Sequence, residues 1–523
     1  MAETVIMDGA TLSCAGVAAV ARGGAQVAVA PSGLARAAAA HQAALEAAAR
    51  SPFYGRTTGV GANGMMAVAP GHGHGLRLVR SHVGGAGEPV DGDVARGMLA
   101  VRLNQLAVGG SGADPAWLEA AAIALNEGLT PAFPVLGGIG TADLAGLAAT
   151  ALALIGERPW RSADGLVTRR LLGAAVADAD APAFLSSNAM TLAHAALVHQ
   201  DLSGLLDAGL EIAALSHLAL SGSGQPYSDR VQAARPHPGQ RATADRLRAL
   251  LGPDIDRPAA RVQDPYGLRA LPQVHGPAVE AFVTLDRVLS VEMNAAAENP
   301  LVDAPTGQVL HNGNFHGAYL AQALDGARLA LCTAAALSPA RLAALTDPRR
   351  TGLRPFLADG PDGSSGIMIL EYSASAALAE LRMLAAPVSL GTAVLSHGAE
   401  EHAAFSPQAA RAAAGMVPRL RTLLGCELVA AIRALRQRDI QPAGPRLRGL
   451  YDLCLDRLPA DGTDRPLDID IAAAELVIAA MSQLGKPGTA PKHSRCRSHK
   501  PISDFGPAQE PERRCLGHAS CGA

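Results

Sequence analysis

The sequence predicts a mainly α-helical fold, a long-helix bundle with a smaller, loop-rich N-terminal domain that carries a few short strands. Hydrophobic residues make up 49% of the 523 residues but aromatic residues only 3%, so small aliphatic side chains must fill most of the core. Alanine is the best helix former and lets helix axes approach closely. The second half also places apolar residues at helical spacing, in the series Val279, Phe282, Leu285, Leu289 and Met293.

The elements follow in chain order. Short strands are predicted at 5–8 and 26–30, and Pro31-Ser32-Gly33 begins an alanine-rich helix that ends near Arg50. Residues 51–92 show no long helical pattern but contain two glycine-rich stretches, which indicates ordered functional loops. Helical patterns then recur at about 94–109, 115–127, 142–156, 317–346, 367–384 and 406–437.

This organisation predicts three regions: an N-terminal domain with active-site loops over 1–200, a helical bundle over 201–484 and a disordered tail over 485–523. The tail is polar, rich in proline and aperiodic. It contains His493-x2-Cys496-x2-His499 and Cys515-x2-His518-x2-Cys521, which are ligand types that zinc accepts. The tight spacings favour an unstructured tail over a zinc module. We therefore expect no metal site and no external cofactor.

Charge and cysteine content exclude several classes of protein. The chain has 44 Lys+Arg against 47 Asp+Glu, without the basic surplus of a nucleic-acid-binding domain. Its seven cysteines are few and widely spaced, which is unlike a secreted disulfide framework. No signal-peptide pattern is present, and the most apolar stretch, 144–156, is shorter than the ~20 residues that span a bilayer. We expect a cytoplasmic protein without a nucleic-acid or membrane partner.

Two polar clusters in the first hundred residues are candidates for chemistry. The first begins at Tyr54 and reads Tyr-Gly-Arg-Thr-Thr-Gly-Val-Gly. No Gly-Lys-Ser/Thr follows its glycines, so they predict a turn that presents Tyr54 rather than a phosphate loop. The second cluster is Arg80-Ser81-His82. Taken alone, the first cluster favours a surface loop with an anchoring tyrosine.

Two further clusters lie in the second half. Gln263, Tyr266 and Arg269 fall at i, i+3 and i+6, which is roughly one face if the segment is helical. An amide, a phenol and a guanidinium there could bind a carboxylate, with Arg269 giving a bidentate contact. The fourth cluster combines the Asn-Gly-Asn-Phe-His-Gly motif at 312–317 with Glu400-Glu401-His402. A helix-end hydrogen-bond network and a solvated acidic face are the alternative interpretations of these two clusters.

Taken in order along the chain, these motifs resemble the aromatic amino acid lyase superfamily. That superfamily contains the histidine, phenylalanine and tyrosine ammonia-lyases and the related aminomutases. The resemblance extends from about residue 5 to the stretch at 464–477. It is carried by YGRTTGVG, LVRSHVGGAGEPV, RLNQLAVGGSG, RPHPGQ, VQDPYGLRALPQV, ENPLV and GNFHG.

The resemblance implies a helical homotetramer whose active sites draw loops from several subunits. The family reaction removes ammonia from an L-α-amino acid and leaves an α,β-unsaturated acid. It uses an electrophilic methylidene-imidazolone that forms from the protein's own Ala-Ser-Gly. Tyr54 matches the catalytic base that takes the β-proton, and Arg269 matches the arginine that binds the substrate carboxylate. The residues that surround the prosthetic group and orient the substrate match Asn188, Gln263, Tyr266 and Phe315.

Two positions indicate the substrate class. Ser81-His82 resembles the histidine ammonia-lyases, and His82 is counted among the substrate-binding residues. Glu400 stands where the histidine enzymes have an acid and the phenylalanine enzymes a glutamine. A carboxylate can pair with an imidazole nitrogen, whereas opposite a phenyl ring it would be a buried unpaired charge. A histidine-like amino acid is therefore the favoured substrate.

The prosthetic-group motif departs from the family pattern. The chain reads Gly-Gly-Ile-Gly-Thr-Ala-Asp-Leu-Ala-Gly-Leu over 137–147, one residue shorter than the family's Gly-Ser-Val-Gly-Ala-Ser-Gly-Asp-Leu-Ala-Pro-Leu. Aligned from the left, the serine position holds Ala142, which has no hydroxyl to eliminate. Aligned on Asp143-Leu144-Ala145, the triad is Gly140-Thr141-Ala142. Neither alignment supplies the usual electrophile, so we expect a modified self-derived group from residues 140–142 or none.

Three functions remain open at this stage. The first is an ammonia-lyase of the histidine-like branch, which would convert histidine to urocanate. The second is a lyase-fold enzyme with changed chemistry, such as an aminomutase or another elimination that still uses Tyr54 as base. The third is a non-catalytic homologue that binds a ligand or partner subunits. The presence of the expected pocket residues argues against the third function, because a pocket without chemistry has little physical need for them.

Overall fold

The computed structural model describes residues 3–69 and 73–481 of the chain. They form many helices with a few short strands between them, which confirms the predicted mainly α-helical fold. The predicted tail over 485–523, with its cysteines and histidines, lies outside the described residues. The described residues belong to one compact unit, and residue 200 lies inside the helix Ala189–Ala219. The predicted domain division after that residue stays a prediction.

The helices match the apolar patterns of the sequence closely. The pattern at 406–437 is one helix, and the pattern at 317–346 divides into two. The first ten helices are α1 (Cys14–Ala21), α2 (Pro31–Arg50), α3 (His74–His82), α4 (Gly92–Leu106), α5 (Ala116–Asn126), α6 (Leu144–Leu154), α7 (Ala174–Leu185), α8 (Ala189–Ala219), α9 (Asp229–Ala234) and α10 (Pro238–Leu251). The remaining ones are α11 (Tyr266–Arg269), α12 (Leu271–Glu292), α13 (Ala318–Ala335), α14 (Leu337–Thr346), α15 (Pro348–Thr351), α16 (Ile369–Leu384), α17 (Ser406–Gln437), α18 (Pro445–Arg457) and α19 (Asp468–Met481).

The strands form four small sheets, most of them in the first third of the chain. β1 and β2 pair in parallel, whereas β3 with β5, β4 with β6 and β7, and β8 with β9 are antiparallel. These strands are β1 (Thr4–Met7), β2 (Gln26–Val29), β3 (Ala86–Pro89), β4 (Thr130–Pro131), β5 (Pro134–Leu136), β6 (Trp160–Ser162), β7 (Gly165–Val167), β8 (Leu301–Asp303) and β9 (Gln308–Leu310).

The core is organised around the two longest helices, α8 and α17, which pack against each other. Helix α8 also contacts α1, α4 and α12, and α17 contacts α13, α14, α16 and α19. Small residues allow these approaches: a Cβ added to Gly97 of α4 would lie 3.1 Å from the Cβ of Ala193 of α8. The few aromatic residues fill larger gaps, and Trp117 stacks on Phe184 with 4.3 Å between ring centroids.

A buried ion pair fastens α14 to α17. The Arg341 guanidinium donates to both carboxylate oxygens of Glu427, at 2.6 and 2.8 Å, and Ser216 of α8 donates to the same carboxylate at 2.7 Å. This bidentate geometry satisfies both charges inside the core. A second buried pair, Arg102 with Glu298 at 2.8 Å, ties α4 to the segment before β8. These pairs hold the bundle from which the loops of the candidate site project.

Two apolar stretches, Asp180–Ala219 and Ala318–Thr346, are long enough to cross a membrane by length and composition. Their most apolar windows are 78% and 56% buried inside the fold, as is usual for core helices of a bundle. Both stretches contribute to the packing around α17 described above. They are therefore weak indications of a membrane span.

Candidate active site

A turn between β5 and α6 contains the residues predicted to correspond to the prosthetic group. Gly140 has a φ of +89° and Ala142 a φ of +96°. A positive φ is ordinary for glycine but uncommon for a residue with a Cβ atom. Position 142 therefore has the backbone conformation of a glycine although it carries alanine.

Backbone hydrogen bonds from distant segments fix this turn. The N–H of Gly317 donates to the Gly140 carbonyl at 2.8 Å. The N–H of Phe405 donates to the carbonyl of the preceding residue, Ile139, also at 2.8 Å. The turn thus joins the segment before α13 to the segment before α17. Because the donors are backbone groups, they hold the turn whatever side chains it carries.

Asn188 connects the turn to the predicted substrate-orienting residue Phe315. The Asn188 Oδ1 accepts a hydrogen bond from the Ala142 N–H at 3.0 Å, and its Nδ2 donates to the Phe315 carbonyl. Asn188 is 4% exposed, so both bonds are shielded from water. The structure therefore brings Asn188, Phe315 and residues 140–142 together, as the motifs predicted.

Asp143 is the last residue of the turn, directly before α6. No ion pair among the described residues places a cation beside it. Its carboxylate accepts hydrogen bonds from the backbone N–H and the hydroxyl of Thr191, at 2.8 and 2.9 Å. Thr191 is in the first turn of α8, where unpaired N–H groups and the helix dipole favour a carboxylate. Burial has the larger effect and raises the pKa of Asp143 to about 6.

Tyr54 borders a cavity of about 710 Å³ formed by the loop after α2 and the loop before α17. The phenolic oxygen accepts a hydrogen bond from the Gly61 N–H at 2.6 Å. The His311 ring meets the Tyr54 ring edge-on, with 6.3 Å between centroids. Ser396 fastens the two loops together, since its Oγ accepts from the Ala62 N–H at 2.8 Å. The glycine-rich loop thus presents Tyr54 to a cavity, as the sequence predicted.

Two short segments, 311–317 and 395–402, connect this cavity to the turn. His311 lines the cavity, and His316 lies 3.0 Å from His402 between ring nitrogens Nε2 and Nδ1. Glu400 is half-buried, and its carbonyl accepts from the Leu395 N–H at 2.8 Å, which closes the 395–400 loop. Tyr54, Glu400 and the turn therefore belong to one continuous set of loops.

His82 is the last residue of α3. Its Nδ1 lies 2.8 Å from the Leu78 carbonyl of its own helix, and the ring is half-buried. The chain then enters β3, which pairs with β5 immediately before the turn. This pairing places the segment after His82 beside the turn.

The third predicted cluster, Gln263, Tyr266 and Arg269, does not have the predicted arrangement on one helical face. The helix begins only at Tyr266, because Pro265 occupies the position before it and disfavours helical geometry for the preceding residue. Gln263 is exposed in the loop upstream, so the three residues do not share a helical face. The Arg269 guanidinium lies 4.3 Å from the Tyr266 ring centroid, and its Nε is buried without a partner. Among the described residues, no hydrogen bond, ion pair or ring contact joins this cluster to Tyr54 or the turn.

The structure also shows residues to which the sequence motifs gave no role. Thr191 holds Asp143 through its backbone N–H and its hydroxyl, from the first turn of α8. His316 and His402 lie inside motifs that were recognised, but only the fold shows that their rings meet. His311 directly precedes the 312–317 motif and was not singled out.

Comparison with known proteins identifies the family. The sequence model described as "Aromatic amino acid lyase" matches residues 12–455. The chain belongs to this family. The histidine ammonia-lyase of Stigmatella aurantiaca is 34% identical over 499 residues, covering 92% of this chain and 98% of that protein. The histidine ammonia-lyase of Anaeromyxobacter sp. (strain K) is 35% identical, with coverages of 91% and 98%.

Several solved structures share the fold. The ergothioneine-degrading enzyme ergothionase from Treponema denticola superposes with a TM-score of 0.84 at 26% identity, covering 92% of this chain and 100% of that one. The histidine ammonia-lyase from Trypanosoma cruzi gives 0.82 at 27% identity, with coverages of 92% and 94%. The tyrosine aminomutase from Streptomyces globisporus gives 0.83 at 29% identity, with coverages of 92% and 97%.

The residues of the turn do not fit the prosthetic group as the family builds it. No serine is present over 137–147, and the residue whose nitrogen would close the ring, Ala142, carries a Cβ in a glycine conformation. Its N–H is also engaged by Asn188. The backbone of the turn has the positive φ angles described above. It lacks the serine and the glycine from which the family forms the ring.

Proposed function

We propose that this protein is a carbon–nitrogen lyase that removes ammonia from a histidine-like L-α-amino acid and leaves an α,β-unsaturated acid. The observation that carries the proposal is the 34% identity to a histidine ammonia-lyase over nearly the full length of both chains. The family membership supports the reaction class. The pocket residues described above support the substrate class.

Tyr54 is the proposed base. Tyr54 borders the cavity, and its oxygen accepts a hydrogen bond from the Gly61 N–H at 2.6 Å. This donor would stabilise the negative charge of a phenolate. Taking the β-proton onto this oxygen leaves an electron pair that forms the new double bond as the C–N bond breaks. A base positioned in this way contributes about 10²- to 10⁴-fold to a rate.

Glu400 and His82 are the proposed contacts to the substrate ring. The Glu400 side chain is half-buried on the 395–402 segment, within the set of loops that joins the cavity to the turn. An imidazole nitrogen can pair with this carboxylate, whereas a phenyl ring would leave it unpaired. Gly140, Thr141 and Ala142, with Asn188 and Phe315, form the proposed opposite wall of the pocket.

Arg269 is the proposed carboxylate-binding residue, with Gln263 and Tyr266 beside it. In a single chain Tyr266 is 68% exposed and the Arg269 Nε has no partner. Both features fit a site that is completed by a second copy, and we propose a homotetramer located in the cytoplasm. Exposed apolar side chains on helical surfaces support the association, and they include Tyr319, Ile369, Tyr372 and Met383.

A second candidate function is favoured by the turn itself. Without an electrophile, the α-amino group is a poor leaving group, because it can lose a proton and then cannot depart. A quaternary ammonium has no N–H, stays cationic and leaves as a neutral tertiary amine. Ergothioneine, on which the similar Treponema denticola enzyme acts, is the trimethylammonium betaine of a thiolated histidine. The same base and the same ring contacts would then eliminate a tertiary amine.

Direct assay of the purified protein separates these candidates. L-Histidine, L-phenylalanine and L-tyrosine are offered beside histidine betaine and ergothioneine, and the conjugated acrylate product is followed by its near-ultraviolet absorbance. Turnover of L-histidine with release of ammonia supports the first function. Turnover of the betaines alone, with release of trimethylamine, supports the second.

Three other outcomes contradict the proposal. Turnover of phenylalanine or tyrosine in preference to both imidazole classes overturns the substrate assignment. A protein that binds these compounds in calorimetry but turns over none of them is a non-catalytic homologue. A β-amino acid product detected by chromatography would instead identify an aminomutase.

A further inference from the structure

A cluster of metal-ligand side chains lies where three helices meet, apart from the turn and the cavity of the proposed active site. Cys14 is the first residue of α1, His199 lies in the middle of α8 and Asp286 is on α12. One ligand atom of each residue lies within 4.8 Å of the ligand atoms of the other two. Helices α1, α8 and α12 all contact one another, so the core packing itself sets this geometry.

We propose that Cys14, His199 and Asp286 bind a divalent transition-metal ion, with zinc as the best match. Sulfur, imidazole nitrogen and carboxylate oxygen are the ligands of zinc sites in proteins. In a tetrahedral site with bonds of about 2.0–2.3 Å, ligand atoms lie roughly 3.3–3.8 Å apart. Side-chain rotations that move these atoms by on the order of 1 Å would reach this arrangement.

The hydrogen bonding of His199 is the second observation that supports the site. The side chain is 8% exposed, and its Nε2 lies 3.3 Å from the Phe282 carbonyl. Its Nδ1 is buried and has no partner. A metal-binding histidine usually bonds a backbone carbonyl through one nitrogen and leaves the other for the ion. A buried nitrogen without a partner is otherwise costly, and a metal ion would supply the partner.

The charges of the cluster also balance around a dication. Asp286 forms no ion pair within the described part of the chain, so no neighbouring cation neutralises it there. A metal ion would displace the thiol proton and pair with one thiolate and one carboxylate.

The access to the cluster indicates an open coordination position. Cys14 and His199 are buried, whereas Asp286 is exposed at the surface. Three protein ligands leave one position of a tetrahedral ion for water or for a small anion. The site is therefore expected to exchange its metal with solvent.

Cobalt titration of the full chain, after treatment with a chelator, tests the proposal. We expect the wild type to bind one equivalent of Co²⁺ per chain more than Cys14→Ser, with a thiolate-to-cobalt absorption that this variant lacks. Cys332→Ser is the matched control, because Cys332 is also a free buried cysteine but lies on α13. It should bind as the wild type does. Comparing variants removes any contribution from the cysteines and histidines after residue 484.

A second variant keeps the test decisive if Cys14→Ser does not fold. Asp286 is exposed, so Asp286→Asn should fold normally, and we expect it to weaken Co²⁺ and Zn²⁺ binding at least tenfold. Added Zn²⁺ should also raise the Tm of the wild type more than that of Asp286→Asn. Equal metal stoichiometry and equal affinity in the wild type and Asp286→Asn would overturn the proposal. So would a thiolate–cobalt band that is lost in Cys332→Ser instead.

Discussion

The turn at 137–143 and the loops that face the substrate have diverged from their family to different degrees. The loops carry residues that resemble the family pattern, as at Tyr54, His82 and Glu400. The turn keeps the family's place in the fold and a glycine-like backbone at Ala142, but not the serine-containing triad. The chain thus has the proposed base and the proposed ring contacts around a turn without the serine that the family pattern contains.

The difference between the turn and the loops shows which features of the candidate site depend on particular side chains. The turn is held by backbone donors, from Gly317 and Phe405, and by the Asn188 amide. These bonds tolerate changes of side chain at residues 140–142, so the shape persists. The electrophile of the family, by contrast, depends on a serine and a glycine at particular positions. Shape alone therefore does not show that the prosthetic group forms.

The largest effect is expected at the base. Tyr54→Phe removes the oxygen that would take the β-proton, and we expect the turnover rate to fall by about 10²- to 10⁴-fold. Tyr451→Phe is the control, since Tyr451 is buried in α18 and belongs to no part of the proposed site. Steady-state rates on the best substrate measure both variants. An unchanged rate in Tyr54→Phe would show that the loops do not retain the family's chemistry.

The carboxylate under the turn should make stability depend on pH. Burial in the folded state raises the pKa of Asp143 to about 6 from its ordinary value of 3.8, so folding favours the protonated acid. This contribution is fully present below about pH 4 and is lost as the pH rises through 6. The free energy of unfolding of the wild type, relative to Asp143→Asn, should fall by ~3 kcal/mol between pH 4 and pH 7.

Urea unfolding of both proteins across this pH range gives that difference. Asp143→Asn is a close match in shape, and its amide can still accept from the Thr191 N–H and donate to its hydroxyl. A difference that rises with pH, or stays flat, would contradict the burial of a carboxylate without a neighbouring cation at this position.

Removal of Asn188 should loosen the turn. Asn188→Ala leaves the Ala142 N–H and the Phe315 carbonyl without their partner, and both lie in a shielded region. The expected loss is about 1–3 kcal/mol in the free energy of unfolding. Asn188→Asp retains an acceptor for the Ala142 N–H and should recover part of the lost free energy of unfolding. Equal stability of Asn188→Ala and the wild type would show that the side chain does not hold the turn.

The smallest effect is expected at Ala142. Ala142→Gly relieves the positive φ of this residue, and the gain is partly offset by the greater freedom of glycine in the unfolded chain. We expect a net stabilisation of about 1 kcal/mol. Ala39→Gly, in the exposed face of α2, should destabilise by about the same amount. Thermal unfolding compares the two, and loss of stability in Ala142→Gly would contradict the strained backbone.

The helical fold could be predicted from the sequence because its signals are local. Apolar spacing and alanine content placed α4, α5 and α17 within a few residues of their observed bounds. The short helix α11 was misjudged over Gln263, although Pro265 gives a local reason for the late start. Local patterns therefore suffice to predict the helices, provided that helix-breaking residues such as proline are considered together with the apolar residues.

The arrangement of the site could be predicted only in part. The motifs named Asn188 and Phe315, and the structure joins both to residues 140–142. The bond between Gly317 and Gly140, like the meeting of His316 with His402, links positions far apart in the chain. Contacts between positions so far apart are set by the fold and leave no local pattern in the sequence, so they were not predictable from residue types. The same holds for the ligand cluster at Cys14, whose members come from three different helices.

The intact mass of the purified protein tests the central claim most directly, namely that the family pocket surrounds a turn that does not form the family's electrophile. We predict the mass of the unmodified sequence, with a peptide over residues 140–142 that fragments as ordinary Gly-Thr-Ala. A mass lower by two water molecules, with the loss located at these residues, would contradict the account.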